Sequence, residues 1–327
     1  MRLLLLTFLT MIAFAANSVL NRMALSLDGP LDATDLETGP AGFALIRLAS
    51  GAAALGLLAL WRSGGLRLWA PGRVTVRATG VVSLALYVLG FSFAYVTLDA
   101  GLGALILFGG VQITMFAGAV WRAEPMPAAR WAGAALALAG LVGLLWPVQG
   151  PAGAEQMATD PVGGLMMAVA ALGWGIYSLN ARRSGDPLAA TAGNFILTTP
   201  LAVLVYLLWP DGVSWRGAGL AVVSGVVTSG LGYALWYEVL RRIDTSVAAV
   251  AQLSVPVLAA LGGVLLLNEA ATLRMMLWGG VVLLGVALSV LWPRATPAPE
   301  PEPEPAPEPA PEPGPDPDQR TSGSNGS

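Results

Sequence analysis

Residues 265–276 read LLLNEAATLRMM: a long apolar run ends in a glutamate, Glu269, and a second apolar run follows. The same event occurs at 119–131, AVWRAEPMPAARW, where Glu124 closes another apolar stretch. Such runs dominate the chain of 327 residues, which is 55% hydrophobic and only 11% charged. Soluble domains carry roughly a quarter charged residues, and a soluble core cannot hide this much apolar surface. Bilayer hydrocarbon can, and about 20 consecutive apolar residues cross it as a helix.

Ten such spans are read, at 3–23, 41–61, 78–98, 101–121, 128–146, 161–181, 188–208, 217–239, 246–266 and 274–292. Backbone polar groups facing lipid must be satisfied internally, so each span is expected to be a helix. The first span also has the outline of a signal peptide, but the repeat described below requires it to be retained. After Trp292-Pro293 the composition changes to alternating Pro and Glu. Residues 294–327 cannot bury a core and read as a solvated, acidic cytoplasmic tail.

The chain has no Cys and no His, and all 17 basic residues are Arg. Disulfides, thiolate nucleophiles, His-based metal sites and a Ser-His-Asp triad are excluded, and no cofactor is implied. The arginines form no stripe for nucleic acid. They gather at one set of span ends (Arg2, Arg62, Arg67, Arg73, Arg77, Arg122, Arg130, Arg182, Arg183, Arg241, Arg242, Arg294), whereas the opposite set holds Arg22, Arg216 and Arg274. The positive-inside rule places both termini in the cytoplasm of a bacterial inner membrane.

Internal repetition organises the spans. Asp99 and Glu124 are separated by the same interval as Asp244 and Glu269. LGFSFAYVTL (89–98) matches LGYALWYEVL (231–240), SVLNR (18–22) matches YSLNA (177–181), and both halves end in Trp-Pro. The reading is two five-helix units, 1–147 and 160–293. Because five is odd, the second enters the membrane inverted, a mark of transporters with a site between the halves. Glu124 and Glu269 are then expected in the first turn of the helix that follows each, favoured by its dipole, with Asn268 as a cap.

Ten helices in two halves, a Glu opening the last helix of each half, an Arg within FALIRLASGAAAL (43–55), and above all VAQLSVPVLAALGGVLLLNE (250–269) resemble the EamA branch of the drug/metabolite transporter superfamily. Val111 stands where the first half would carry the counterpart of Pro256, so 109–115 is expected to pack or bend differently. The resemblance implies an all-α membrane protein that moves, and in this reading exports, small metabolites such as amino acids by alternating access. It also implies a central cavity lined by helices 1, 3, 4, 6, 8 and 9. The alternatives are a non-transporting membrane scaffold or sensor, and a lipid-modifying enzyme, for which the spans offer no paired carboxylates or metal cluster.

Polar and aromatic residues inside the spans are the candidate solute-binding set: Asn17, Arg47, Tyr87, Gln112, Thr114, Trp174, Tyr177, Tyr233, Trp236, Gln252 and Ser254. Arg47 is costly inside hydrocarbon, which leaves a solute or gating contact, or a snorkelling side chain that reaches the headgroups. Arg22 and Glu238 read as interfacial, the first by snorkelling. Trp61, Trp121, Trp146, Trp209 and Trp292 fall at span ends, as belt residues do. Ala135, Ala139 and Gly143 in span 5, with Gly285 and Ser289 in span 10, have the spacing of close helix packing within the chain or of a homodimer contact. The expected partners are thus a small-molecule solute and the lipid bilayer, with no nucleic acid. The spans hold no His and no midplane carboxylate, so facilitated diffusion or exchange is expected over proton coupling.

Overall fold

A computed structural model describes residues 2–25, 38–63, 74–121, 128–146, 148–149, 155–156, 160–181, 186–240, 242, 251–252 and 254–291. Glu124, Asp244, the tail and the side chain of Glu238 lie outside the described residues. The helices are α1 (Arg2–Leu25), α2 (Pro40–Ser63), α3 (Val74–Ala94), α4 (Ala100–Trp121), α5 (Ala128–Leu145), α6 (Pro161–Ala181) and α7 (Pro187–Leu208). Then come α8 (Trp215–Val223), a π-helical segment (Ser224–Leu231), α9 (Gly232–Leu240), α10 (Ser254–Leu267) and α11 (Leu273–Leu291). One antiparallel pair of two-residue strands, Val148–Gln149 with Glu155–Gln156, lies between α5 and α6.

Among the described residues 6 helices are long and apolar enough to cross a membrane, judged by length and composition, and three shorter apolar helices accompany them. Large apolar side chains such as Leu4, Leu57, Leu207 and Leu265 stand exposed around the bundle, as a lipid-facing surface requires. Trp61, Trp121, Trp146 and Trp209 are exposed at helix ends, and Trp292 lies outside the described residues.

The strongest packing pairs are α3 with α6, α5 with α11, α2 with α7, α4 with α6, and α4 with α10. Helix α1 packs on α10 and on the α8–π–α9 run, and α2 on the π segment. Small residues permit the closest approaches. A Cβ on Gly173 would stand 2.6 Å from the backbone N of Tyr87, so α6 meets the α3 backbone there. The α5–α11 seam differs from the expected stripe. Gly143 and Gly285 do face the partner helix, Gly143 against Trp278 and Gly285 against Ala137. Ala135 and Ala139 are exposed instead, and Ala137 and Gly140 take the buried face.

The span read at 217–239 is not one α-helix, because its middle is π-helical. A π turn carries an extra residue, and here it occurs in a run of small residues, SGVVTSGL, pressed against α2. Helix α4 runs unbroken through 109–115, with Val111 buried.

One end of the bundle is closely tied. Asp211 receives the N–H groups of Ala41 at 2.7 Å and Gly42 at 2.8 Å, capping α2 from the α7–α8 connection. Thr38 and Ser214 hydroxyls meet at 2.8 Å. Thr97 donates to Asp160 at 2.9 Å, and the same carboxylate caps α6 through the Gly163 N–H, which holds it below its usual range. Arg274 donates to the carbonyls that end α5, those of Gly143, Leu144 and Trp146. At the other end, Arg77 donates to the Ala190 carbonyl and to Asn194, and Arg62 pairs with Asp186 at 3.6 Å.

Three sequence expectations are corrected at the tied end. Glu269 is not in the first turn of the next helix, since 268–272 is non-helical and α11 begins at Leu273. Its carboxylate instead receives the N–H of Ala100, at 2.9 and 3.0 Å, and so caps α4. A positive helix end reached through space competes as well for a carboxylate as one reached along the chain. Asn268, with φ 53°, is a left-handed residue closing α10 and not a cap for α11. Arg22 does not snorkel. It donates to the carbonyls of the turn that follows α3, Tyr95 at 3.2 Å and Val96 at 3.0 Å, and pairs with Glu269 at 3.6 Å and Asp99 at 3.8 Å.

Candidate functional site

Below that tied end a cavity with ≈ 280 Å³ of non-atom space lies between α1, α3, α4, α6 and α9. Its free centre is narrow, with room for about one water. Asn17 and Ser18 from α1, Tyr87 from α3, Trp174 from α6 and Tyr233 from α9 line it with Phe14, Phe91, Leu107 and Phe108.

The aromatic side chains interlock. Trp174 stacks on Tyr177 with centroids 5.6 Å apart and an interplanar angle of 24°. Tyr87 and Tyr233 lie 4.7 and 5.0 Å from the Trp174 ring. Phe14 makes edge-to-face contacts with Trp174, Tyr233 and Trp236. The rings come from both halves of the sequence, and such edge and offset contacts hold them in fixed orientations.

A polar network adjoins the rings. Asn17 Oδ1 accepts from Ser224 at 2.6 Å and Thr228 at 3.0 Å, both on the π segment, while Asn17 Nδ2 donates to the Tyr87 hydroxyl at 3.4 Å. Arg47 is fully buried, with 0% exposure. Its Nε donates to Ser229 at 3.1 Å and its Nη2 to the Tyr87 hydroxyl at 3.2 Å. The guanidinium carbon lies 5.4 Å from the Tyr87 centroid and 5.0 Å from that of Phe91. The snorkelling alternative for Arg47 therefore does not apply.

The structure brings together Asn17, Arg47, Tyr87, Trp174, Tyr177, Tyr233 and Trp236. It does not bring in the other four. Gln112 is half-buried on α4 and Gln252 half-buried before α10, neither among the lining residues. Thr114 turns its hydroxyl to the Gly110 carbonyl of its own helix, and exposed Ser254 turns its hydroxyl to the Ala251 carbonyl just before α10. Helix α10 contributes no lining side chain. Sequence reading missed Ser224, Thr228 and Ser229. Their signal was present, as hydroxyls on successive turns of an apolar span. Phe14, Phe91, Leu107 and Phe108 gave none, being apolar among apolar neighbours.

The sequence model of the EamA-like transporter family matches residues 161–291. An uncharacterised protein of Pseudomonas aeruginosa is 44% identical over 296 residues, covering 90% of this chain and 96% of that protein. The chain belongs to the EamA-like transporter family. A second relative of this EamA protein, an uncharacterised transporter of Archaeoglobus fulgidus, is 24% identical over 220 residues, 66% of this chain and 76% of the relative. A solved crystal structure shares the fold with a TM-score of 0.60 at 22% identity, covering 89% of this chain and 97% of that one. The EamA chain is thus a multi-pass membrane protein of a transporter family, and the aromatic cavity is its candidate solute site.

Proposed function

We propose that this EamA protein is a carrier of small metabolites such as amino acids. Two inverted five-helix repeats, 1–147 and 160–293, alternate access to the central cavity. The observation that carries this reading is the cavity itself, a polar and aromatic pocket in an apolar bundle with walls from both repeats. The packing supports the repeat. Helices α2 and α7, α4 and α10, and α5 and α11 occupy equivalent places in the two halves, and each packs on its counterpart. The contact of α3 with α6 likewise has its equivalent in α1 against the α8–π–α9 run. A pseudo-two-fold axis between the halves produces that pairing.

In this reading the tied end faces the periplasm and is shut, so the structure is outward-closed around a contracted cavity. Both termini lie in the cytoplasm of a bacterial inner membrane, and the solute gradient sets the direction by exchange or facilitated diffusion. Purified protein in liposomes, assayed for counterflow of labelled amino acids, nucleosides and organic cations, tests the reading. At least one solute should exchange, and Trp174→Ala and Tyr233→Ala should slow it by about tenfold or more while remaining folded. Normal exchange in both variants would put the solute path elsewhere.

A further inference from the structure

Arg47 is a fully buried guanidinium, and among the described residues no carboxylate lies within ion-pair distance of it. Those ion pairs all sit at helix ends. A guanidinium has five N–H groups. Here Nε and Nη2 bond to neutral hydroxyls, and Nη1 has no hydrogen-bond partner. A buried charge with neutral partners alone is expensive, and inside a membrane such charges are kept for a ligand or a path.

The wall between Arg47 and the cavity is built of donors. The Tyr87 hydroxyl oxygen accepts from Arg47 and from Asn17, so both lone pairs are engaged and its proton is what remains to give, to a solute or to the neighbouring Tyr233 hydroxyl. Tyr87 and Asn17 both line the cavity. The acceptor of the Asn17 amide is used by Ser224 and Thr228, which turns its NH₂ towards Tyr87. Trp174, Tyr233 and Phe14 line the same cavity, with the Tyr87 ring 4.7 Å from that of Trp174. The cavity thus offers donors backed by a positive charge, and rings beside them.

We propose that Arg47, Tyr87 and Asn17 form an anion subsite, at which the solute places a carboxylate while its apolar or aromatic part meets Trp174 and Tyr233. Arg47 supplies the charge and polarises the Tyr87 O–H, which becomes a strong donor to the anion. This inference rests on the cavity being the solute site proposed above.

Thermal unfolding of the purified full chain tests it, with phenylacetate, L-phenylalanine, phenethylamine and sodium chloride as separate probes. Phenylacetate and phenethylamine share a ring and differ in the sign of the charge. A ligand of the folded state raises the unfolding temperature in proportion to its affinity. Phenylacetate and L-phenylalanine are expected to bind at least about tenfold more tightly than phenethylamine. Arg47→Gln should abolish that preference, Arg47→Lys should keep it, and Tyr87→Phe should weaken it. The last two variants carry the test if Arg47→Gln does not fold. Equal binding of acid and amine, or no stabilisation by either carboxylate at millimolar concentration, overturns the proposal. Stabilisation by chloride alone also overturns it, because the charge would then belong to a resident inorganic anion. If acid and amine bind alike and both lose binding in Trp174→Ala, the cavity reading survives and the anion subsite does not. If Trp174→Ala changes no probe's binding, the cavity reading falls as well.

Discussion

The carboxylate of Glu269 sits over the amino end of α4, where both its oxygens receive the backbone N–H of Ala100, at 2.9 and 3.0 Å. The two residues belong to different halves of the chain, so this cap is also a tie between them. Gly263 makes room for it, since a Cβ there would strike the Glu269 carboxyl. Arg22 completes the tie from α1 at 3.6 Å.

Removing the carboxylate should therefore loosen the tied end. Glu269→Ala strips α4 of its cap and leaves Arg22 without its nearer partner, at a cost of about 1–3 kcal/mol. Thermal unfolding of the purified variant should show a clear fall, and Glu269→Gln, which keeps an acceptor, a smaller one. An unchanged midpoint for Glu269→Ala would mean that the contact carries no stability.

The same carboxyl gives the tie a pH dependence. Burial raises it above its ordinary value of 4.5; the Ala100 N–H and Arg22 pull it down, Asp99 pushes it up, and burial prevails. A raised carboxyl holds its proton more tightly in the folded, tied form than when hydrated. Its contribution to stability is full below the ordinary value and is lost as pH rises through the folded one. Glu269→Gln lacks this titration. The midpoint of the natural chain minus that of Glu269→Gln should thus fall as pH is raised from 4.5. A difference that grows with pH would reverse the sign of the argument.

How much of this was legible in the sequence depends on what sets each contact. Apolar run length decides the spans, because the bilayer sets it, and the cost of a polar group in hydrocarbon singles out Arg47, Asn17 and Tyr87. The partner of Glu269 was not legible. The next helix along the chain is α11, and only the fold shows that the amino end of α4 receives the carboxylate instead. The apolar lining was hidden for another reason. Lipid and cavity wall both accept Phe and Leu, so no alternation marks the inward face of α4 at Leu107 and Phe108. Polarity alone did not show that the Thr114 hydroxyl donates to its own helix.

Asp211 offers a second cap to remove. It holds the N–H groups of Ala41 and Gly42 at the start of α2. Asp211→Ala should lower stability by about 1–2 kcal/mol, with Asp211→Asn close to the natural chain, as caps of this kind behave. Equal unfolding midpoints for all three would remove Asp211 from the account.

The arginine asymmetry predicts which side each end faces. In a chain without native cysteine, Ser63→Cys at the end of α2 should react with a membrane-impermeant maleimide only from the cytoplasm. Pro210→Cys, exposed just beyond α7, should react only from outside. Labelling of both from one side would contradict the assigned topology.

Alternating access requires the tied end to open in every cycle, and α1 and α10 are the helices that must part there. A Cβ built on Gly262 of α10 lies 3.9 Å from the Cβ of Val19 on α1, within the span a disulfide bridges. The decisive measurement is counterflow by the Val19→Cys, Gly262→Cys double variant in liposomes, before oxidation, after it, and after reduction. Exchange is expected in the reduced protein, with arrest when the pair is bridged and recovery with reductant. A bridged protein that exchanges solute at the reduced rate would contradict alternating access between the two halves.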